Sequence, residues 1–310
     1  MHTGLVTHPA CAGHEMGRGH PECPERLSAI HDRLLVTGLA PHLAWVDAPE
    51  VTPEAVLRAH SDSYLRFLEG AVPQEGYSAL DPDTFLGEKS WPAVLRAAGA
   101  VVEAVDQVLA GDLDNAFCAV RPPGHHALSG TAMGFCVLNN VAIGALHALA
   151  QGLERVAVID FDVHHGNGTE EILGRVEGGD ERVFMASFFQ HPFYPYSGTE
   201  STRENMVNVP LPAGSDGTRV RAVVEDLWMP RLERFRPQMV FISAGFDAHR
   251  EDDLGRMGLV EADYIWMTER LMDLARRHCG GKLVSSLEGG YNLSALGRSV
   301  AAHVRTLADL

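Results

Sequence analysis

The stretch Val156-Ala-Val-Ile-Asp160-Phe-Asp162-Val-His164-His-Gly-Asn167-Gly168 decides the fold of this chain. Residues 156–159 are apolar without interruption, which is typical of a strand buried on both faces of a parallel sheet. Asp162 and His164 lie two residues apart at its carboxyl end, so their side chains point to one side and form half of a zinc site. Polar residues that merely cap the next helix are the alternative, but so many ionisable groups directly after a buried strand argue against it.

Composition and charge narrow the class of protein. The chain has 310 residues, 45% of them hydrophobic, and a net charge of −16. Phosphate binding needs clustered Lys and Arg, so we expect no nucleic-acid partner, whereas cationic substrates would be attracted. The five cysteines form no Cys-x-x-Cys pair, and we find neither a signal peptide nor an apolar run of about 20 residues. These features predict a cytoplasmic protein that does not enter a membrane.

Strand and helix patterns alternate along the whole chain, without an internal repeat or a linker. This alternation predicts one α/β domain over residues 1–310, with a mostly parallel sheet. Further strands are expected at residues 5–7, 116–120, 183–188, 205–212, 239–247 and 283–287. Helices are expected from Pro24, from Thr52-Pro53, and at residues 61–69, 91–110, 137–150, 219–235, 264–274 and 296–307. Residues 70–90 lack periodicity, and Asp81-Pro-Asp83 has turn chemistry, either as a structural turn or at a pocket mouth.

Four polar clusters each follow a predicted strand. Because ligands bind beyond the carboxyl ends of parallel strands, we expect these clusters to converge on one edge of the sheet. They are residues 121–126, 160–167, 247 and 288–291. Asp162, His164 and Asp247 would then form an open site for zinc, although oxygen-rich ligation does not exclude iron, manganese or cobalt. A metal in such a site can activate water to hydrolyse an amide.

The remaining polar residues of these clusters supply acid–base groups. His125 and His126 lie on a loop that two prolines and a glycine make rigid, and they could act as base and acid. Asp160 and Asn167 are the polar groups available to fix the two imidazole tautomers. Tyr291 could donate a hydrogen bond to the developing oxyanion, or it could be a packing residue.

Five segments resemble those of the histone deacetylase family, particularly its class II branch and the bacterial histone deacetylase-like amidohydrolases. They are residues 121–127, 134–140, 160–168, 243–247 and 287–292, with a weaker match at 20–27. The resemblance implies the arginase–deacetylase fold, in which helices cover both faces of a central, mostly parallel sheet of about eight strands. Asn167 and Glu288 favour class II, since class I members carry Asp and Gly there.

The resemblance also implies roles for single residues. Asp162, His164 and Asp247 would bind one catalytic zinc ion (Zn²⁺). His126 would be the general base, His125 an electrostatic partner or acid, and Tyr291 the oxyanion donor. The substrate tunnel would be lined by Gly134, Phe135, Tyr194, Leu254 and Gly290. A structural potassium ion (K⁺) would be bound at Asp160, Asp162, His164, Ser187 and Phe188.

The implied reaction is the removal of acetyl or short acyl groups from lysine side chains. Leu254 stands where the polyamine-specific member carries Glu, which favours acyl-lysine; an acetylpolyamine or other small-amide amidohydrolase is the alternative. A non-catalytic, metal-stabilised binding module is a third hypothesis, and Tyr291 and the histidine pair count against it. The loop from His14 to His20 could serve a homo-oligomer interface or gate the tunnel.

Overall fold

Strands and helices alternate along the chain in the computed structural model, which describes residues 1–200 and 203–310. The strands are β1 (Thr3–Thr7), β2 (Ala44–Asp47), β3 (Tyr77–Ala79), β4 (Phe85–Gly87), β5 (Asn115–Cys118), β6 (Val156–Asp160), β7 (Val183–Gln190), β8 (Met206–Leu211), β9 (Met239–Ala244) and β10 (Leu283–Leu287). The helices are α1 (Glu25–Val36), α2 (Pro53–Leu57), α3 (Asp62–Ala71), α4 (Ser90–Ala110), α5 (Asn140–Ala150), α6 (Asn167–Leu173), α7 (Gly179–Arg182), α8 (Gly217–Val223), α9 (Met229–Phe235), α10 (Glu261–His278) and α11 (Leu293–Leu307).

Eight strands form one sheet in the order β2-β1-β5-β10-β9-β6-β7-β8, and every neighbouring pair is parallel. All residues of β5, β6, β9 and β10 are buried, which is why these strands are apolar almost throughout. The predicted parallel sheet is therefore confirmed.

The two faces of the sheet are covered by different helices. Cys118 of β5 donates its thiol hydrogen to a carbonyl of α4, while its neighbour Phe117 packs against His303 of α11. Successive residues of a strand point to opposite faces, so α4 and α11 lie on opposite sides. Helix α5 packs on α4, and α1 and α10 pack on α11. Helices thus flank the sheet on both faces, as predicted.

Several boundaries differ from the sequence-based expectation. Helix α5 begins at Asn140 rather than residue 137, because the Asn139 side chain accepts a hydrogen bond from the Ala142 amide and ends the preceding loop. Residues 77–87 form an antiparallel hairpin of β3 and β4, and the Asp81-Pro-Asp83 turn lies at its tip. The helix expected over residues 219–235 begins at Gly217 and contains a π-helical segment, Val224–Trp228.

The strands that precede the four polar clusters, β5, β10, β9 and β6, are adjacent at the centre of the sheet. Their carboxyl ends lie at the same edge because the strands are parallel. The predicted convergence of the clusters therefore follows from the topology. Within residues 1–200 and 203–310, no helix has the length and apolarity that a membrane crossing requires.

Candidate active site

Asp162, His164 and Asp247 lie together beyond the ends of β6 and β9. Their candidate ligand atoms are all within 4.8 Å of one another. His164 Nδ1 is 3.0 Å from Asp162 Oδ1 and 3.2 Å from Asp247 Oδ2. Both carboxylates are completely buried. The three residues predicted from sequence are thus brought together.

The electrostatics of this group favour a bound cation. Burial lowers the pKa of His164, but Asp162 and Asp247 outweigh that effect and raise it to about 10. Burial and the charge of Asp162 raise the pKa of Asp247 to about 7. The negative charge of the two buried carboxylates is therefore only partly compensated within the protein, and a divalent cation would compensate it.

The walls around the two carboxylates also suit a metal ion. A Cβ atom at Gly245 would lie 2.0 Å from Asp162 Oδ2, and one at Gly289 would lie 2.0 Å from Asp247 Oδ2. Asp247 Oδ2 is buried, and apart from the contact with His164 Nδ1 at 3.2 Å it has no polar partner in the described part of the chain. Two carboxylates and an imidazole, with space kept by glycines, match the donor set of an open zinc site.

The histidine pair lies beside this group, on the loop after β5. His125 Nδ1 is 2.9 Å from Asp160 Oδ2, and His126 Nδ1 is 2.7 Å from Asn167 Oδ1. The two partners are those that the sequence indicated. The Asn167 amide nitrogen donates to Met133 Sδ, which leaves its oxygen as an acceptor. His126 therefore carries its hydrogen on Nδ1 and has a free lone pair on Nε2.

The two imidazoles have opposite protonation preferences, although their ring centroids are only 4.1 Å apart. Burial lowers the pKa of His125, but the charges of Asp162 and Asp160 outweigh it and hold that pKa well above its usual value. The pKa of His126 is held well below its usual value by burial and by the positive charge of His125. Such a separation produces one cationic and one neutral imidazole at neutral pH, an arrangement typical of acid–base catalysis.

Tyr291 follows β10 and faces the same region. Its ring meets Phe135 edge-on, with centroids 5.7 Å apart, and the Arg26 guanidinium lies 4.9 Å from the ring centroid. Burial raises the pKa of the Tyr291 phenol well above its usual value. The hydroxyl therefore stays protonated and can donate a hydrogen bond.

Aromatic side chains pack against the imidazoles of the site. Tyr194 meets the His126 ring at 5.3 Å between centroids, and Phe193 stacks on His164 at 5.4 Å. Gly134 has a φ of +56°, and a Cβ there would lie 2.5 Å from the His126 ring. Only glycine fits this position, since any side chain would displace the imidazole. Gly134, Phe135 and Tyr194 thus lie near the site, and their role as tunnel lining stays a prediction.

Leu254 and Gly290 each make a hydrogen bond through the backbone. Leu254 is half-buried in the loop after β9, and its amide donates to Asp252 Oδ1 at 3.0 Å. Gly290 has a φ of +120°, and its carbonyl accepts a hydrogen bond from Arg26 Nε at 2.7 Å.

The residues implied in potassium binding surround the end of β6. Ser187 of β7 is the register partner of Asp160, and its hydroxyl donates to the Phe188 carbonyl. The Phe188 ring stacks on Trp228 with centroids 5.7 Å apart, so only its main chain can face a cation. Asp160 Oδ1 accepts a hydrogen bond from the Asp162 amide at 3.0 Å.

A buried ion cluster next to the Tyr291 ring was not predicted from the sequence. Glu22 is fully buried, binds the Arg121 guanidinium with both oxygens, and lies 3.1 Å from Arg26 Nη1. Burial would raise the pKa of Glu22, but Arg121 and Arg26 lower it to about 2. The weak motif at residues 20–27 was the only sequence signal used that contains Glu22 and Arg26. It did not indicate burial, because a Glu–Arg pair four residues apart near the start of a helix more often lies on the surface.

Glu288, which precedes the Gly-Gly-Tyr turn, was expected in a polar cluster and as a class II feature, but its contacts were not predicted. Its Oε2 accepts hydrogen bonds from the amides of Gly124 at 2.6 Å and His125 at 3.0 Å. Burial raises the pKa of Glu288 to about 7. This carboxyl group therefore joins the histidine loop to the end of β10.

Known proteins share this architecture. The profile of the family described as "Histone deacetylase domain" matches residues 20–307. The chain belongs to the histone deacetylase family. This family member is 40% identical over 297 residues to the "Histone deacetylase-like amidohydrolase" of Pseudomonas aeruginosa, covering 93% of this chain and 75% of that protein. It is 37% identical over 301 residues to a "Probable deacetylase" of Archaeoglobus fulgidus, covering 94% of this chain and 82% of that protein.

Comparison with solved structures supports the same family. The crystal structure titled "Crystal Structure of HDA15 HD domain" superposes with a TM-score of 0.92 at 35% identity, covering 99% of this chain and 88% of that one. The resemblance found in the sequence motifs is therefore confirmed for both family and fold. The family membership supports hydrolase activity of the deacetylase or amidohydrolase type on an acylated amine.

Proposed function

We propose that this chain is a zinc-dependent amidohydrolase that removes acetyl or short acyl groups from the amine of lysine side chains. The observation that carries the proposal is a buried Asp–His–Asp group next to two imidazoles with opposite pKa shifts. We assign residues 1–310 to one catalytic domain of the class II-like branch, acting in the cytoplasm. The net charge of −16 supports a cationic substrate and no nucleic-acid partner.

The proposed division of labour follows from the protonation states. Zinc bound by Asp162, His164 and Asp247 would polarise the substrate carbonyl and lower the pKa of a bound water molecule. His126 accepts the proton of the attacking water at Nε2, which its low pKa keeps free at neutral pH. His125 remains cationic against Asp160, and the proton that His126 has accepted passes to the nitrogen of the leaving amine as the C–N bond breaks.

Tyr291 completes the site by donating its phenolic hydrogen to the oxygen that becomes negative as water adds to the carbonyl. The raised pKa of the phenol supports this role, because an ionised tyrosine could not donate. The lysine chain would pass through an apolar tunnel, where aromatic rings suit its methylene groups. We assign this tunnel to Gly134, Phe135, Tyr194, Leu254 and Gly290.

We further propose a structural potassium ion close to the zinc site. The buried carboxylate of Asp160, whose pKa burial raises, would be stabilised by such a cation. Its remaining ligands would be main-chain carbonyl and side-chain oxygen atoms. The proposed set is Asp160, Asp162, His164, Ser187 and Phe188.

An acetylpolyamine amidohydrolase is the second candidate, and one observation favours it. Asp81 and Asp83 lie at the tip of the β3–β4 hairpin, and their charges, after burial, contribute to raising the pKa of Tyr194 in the tunnel wall. Carboxylates near the tunnel wall would attract a substrate with a second ammonium group. Leu254, which lacks a charge, favours the lysine substrate.

Zinc content and the hydrolysis of an acetyl-lysyl peptide and N-acetylputrescine, measured side by side, test both candidates. Tyr291→Phe should lower kcat for the preferred substrate by roughly a hundredfold to a thousandfold with zinc retained. Asp247→Ala should remove both zinc and activity. Tyr77→Phe, at an exposed tyrosine, is the matched control. A zinc-loaded protein that hydrolyses neither amide, or an unchanged kcat in Tyr291→Phe, would contradict the proposal.

A further inference from the structure

The loops after β9 and β10 meet at one carboxylate, that of Asp252. Its Oδ2 accepts hydrogen bonds from the amides of Tyr291 at 2.6 Å and Asn292 at 3.0 Å, and its Oδ1 accepts one from the Leu254 amide at 3.0 Å. The residue is only 5% exposed. A single buried carboxylate thus binds three amides from two loops, in hydrogen bonds that are strong because the acceptor is charged.

Two hydrogen bonds hold the backbone just before Tyr291, one from the Gly289 amide to Asp162 Oδ2 at 2.9 Å and one from Arg26 Nε to the Gly290 carbonyl at 2.7 Å. Asp252 binds the amide of Tyr291 itself. Gly289 and Gly290 precede it, and Gly290 has a φ of +120°, which other residues rarely adopt. After it, the Asn292 side chain caps α11 through the Ala295 amide at 3.0 Å. Asn292 Nδ2 also donates to the Glu251 carbonyl, the residue before Asp252. The Tyr291 turn is therefore held from the neighbouring loop at its own amide and at Asn292, in addition to the contacts of Asp162 and Arg26 before it.

We propose that Asp252 is a positioning residue that joins the Leu254 loop to the Tyr291 turn and so fixes the phenol of Tyr291 at the metal site. The inference rests on the proposed function, because it concerns the role assigned there to Tyr291. It adds a coupling between the loop of Leu254, which we assign to the substrate tunnel, and the oxyanion donor. Displacing either loop moves the other, since both are bound to the same carboxylate.

An electrostatic role of Asp252 would give a different result. After burial and Asp162, the charge of Asp252 also contributes to raising the pKa of Asp247. An effect on Asp247 would persist when the phenol of Tyr291 is removed, whereas an effect on the position of the phenol would vanish. A double-mutant cycle separates the two.

Asp252→Asn is the first variant to test, because its amide nitrogen replaces one acceptor oxygen with a donor. We expect kcat to fall roughly tenfold to a hundredfold, with KM and zinc content close to those of the wild type. In the presence of Tyr291→Phe, Asp252→Asn should lower kcat no further. Asp253→Asn removes the adjacent, exposed carboxylate and should leave kcat unchanged. Equal factors with and without Tyr291→Phe would overturn the proposal.

Fluorine NMR of protein labelled with 3-fluorotyrosine gives a readout that does not depend on activity. The chain has six tyrosines, and Tyr291→Phe identifies the resonance of interest by its loss. Asp252→Asn should shift or broaden that resonance, while Asp253→Asn should not. Asp252→Ser, whose hydroxyl can still accept one hydrogen bond, serves if Asp252→Asn does not fold.

The two measurements separate the proposals. Wild-type protein that hydrolyses no acylated amine contradicts the proposed function, and the fluorine resonance still decides the position of Tyr291. An active enzyme whose Tyr291 resonance is the same in wild type, Asp252→Asn and Asp252→Ser refutes the positioning role alone.

Discussion

Gly289→Ala perturbs the proposed metal site without changing a proposed ligand. A Cβ at this position would lie 2.0 Å from Asp247 Oδ2 and 2.6 Å from Asp162 Oδ2. The Gly289 amide already donates to Asp162 Oδ2 at 2.9 Å, so the backbone cannot easily retreat. Asp247 is held as well, because its Oδ1 accepts a hydrogen bond from the Val163 amide at 2.9 Å.

The size of the displacement sets the expected effect. The Cβ would stand about 1.4 Å inside the 3.4 Å at which ordinary van der Waals contact begins. Ligand atoms in a metal site are normally placed to within about 0.2 Å, so the carboxylates would have to move several times that tolerance. Changes in residues that only support the ligands already cost about tenfold to a hundredfold in affinity. We expect Gly289→Ala to lower zinc affinity by roughly a hundredfold or more.

Competition with a chromophoric chelator measures the zinc affinity, and circular dichroism reports whether the variant is folded. Gly130→Ala is the matched control, because its Cβ would have its nearest neighbour 4.0 Å away. Hydrolysis should fall with the zinc content in Gly289→Ala and stay unchanged in Gly130→Ala. A folded Gly289→Ala protein with wild-type zinc affinity would refute the assignment of Asp162 and Asp247 as ligands.

Three further predictions concern protons and buried charge. His126 Nδ1 is 2.7 Å from the Asn167 amide oxygen, so Asn167→Asp would place a carboxylate against it and raise the pKa of this proposed base. The acid limb of the pH profile of kcat/KM should move upward by roughly one to three pH units, and an unmoved limb would exclude His126 as the base. Burial lowers the pKa of His303 from 6.5 to about 3, so the fold favours its neutral form. The stability that results is complete above pH 6.5 and is lost as the pH falls toward 3. The difference in unfolding free energy between wild type and His303→Gln, measured in urea, should therefore shrink over this range. A constant difference would argue against a lowered pKa of His303. Glu22→Gln leaves Arg121 buried without its counter-charge and should cost about 3–5 kcal/mol in the same assay, whereas a cost below about 1 kcal/mol would contradict a buried ion pair.

The sheet was predictable from sequence because its signals are local. A short, uninterrupted apolar run such as residues 156–159 is typical of a strand buried on both faces of a sheet. The alternation of such strands with helices predicts that the sheet is parallel. The order of the strands was not predicted. The insertion of β10 between β5 and β9 depends on its pairing with β5, whose residues lie more than a hundred positions earlier, and a single sequence holds no local pattern for such a pairing.

The candidate site also contains residues that could be predicted from local sequence and residues that could not. Asp160, Asp162 and Asn167 stand close together in the sequence after one strand, so their shared surroundings could be predicted. Asp252 and Glu288 were not predicted as supporting groups, because each carboxylate binds backbone amides of a separate loop. Such contacts depend on how two turns are placed relative to each other. Because the donor is a backbone amide, they leave no residue type in the sequence that would reveal them.

The sheet order matters while the chain is being synthesised. β10 is synthesised after the other seven strands of the sheet, and its place is at the centre, between β5 and β9. Until Leu287 has emerged, two apolar strand edges must stay apart and unpaired, although every zinc ligand that we propose has already been made. A nascent chain that stalls before Leu283 therefore holds a complete set of ligands on an open sheet, with the exposed edges that chaperones and proteases recognise.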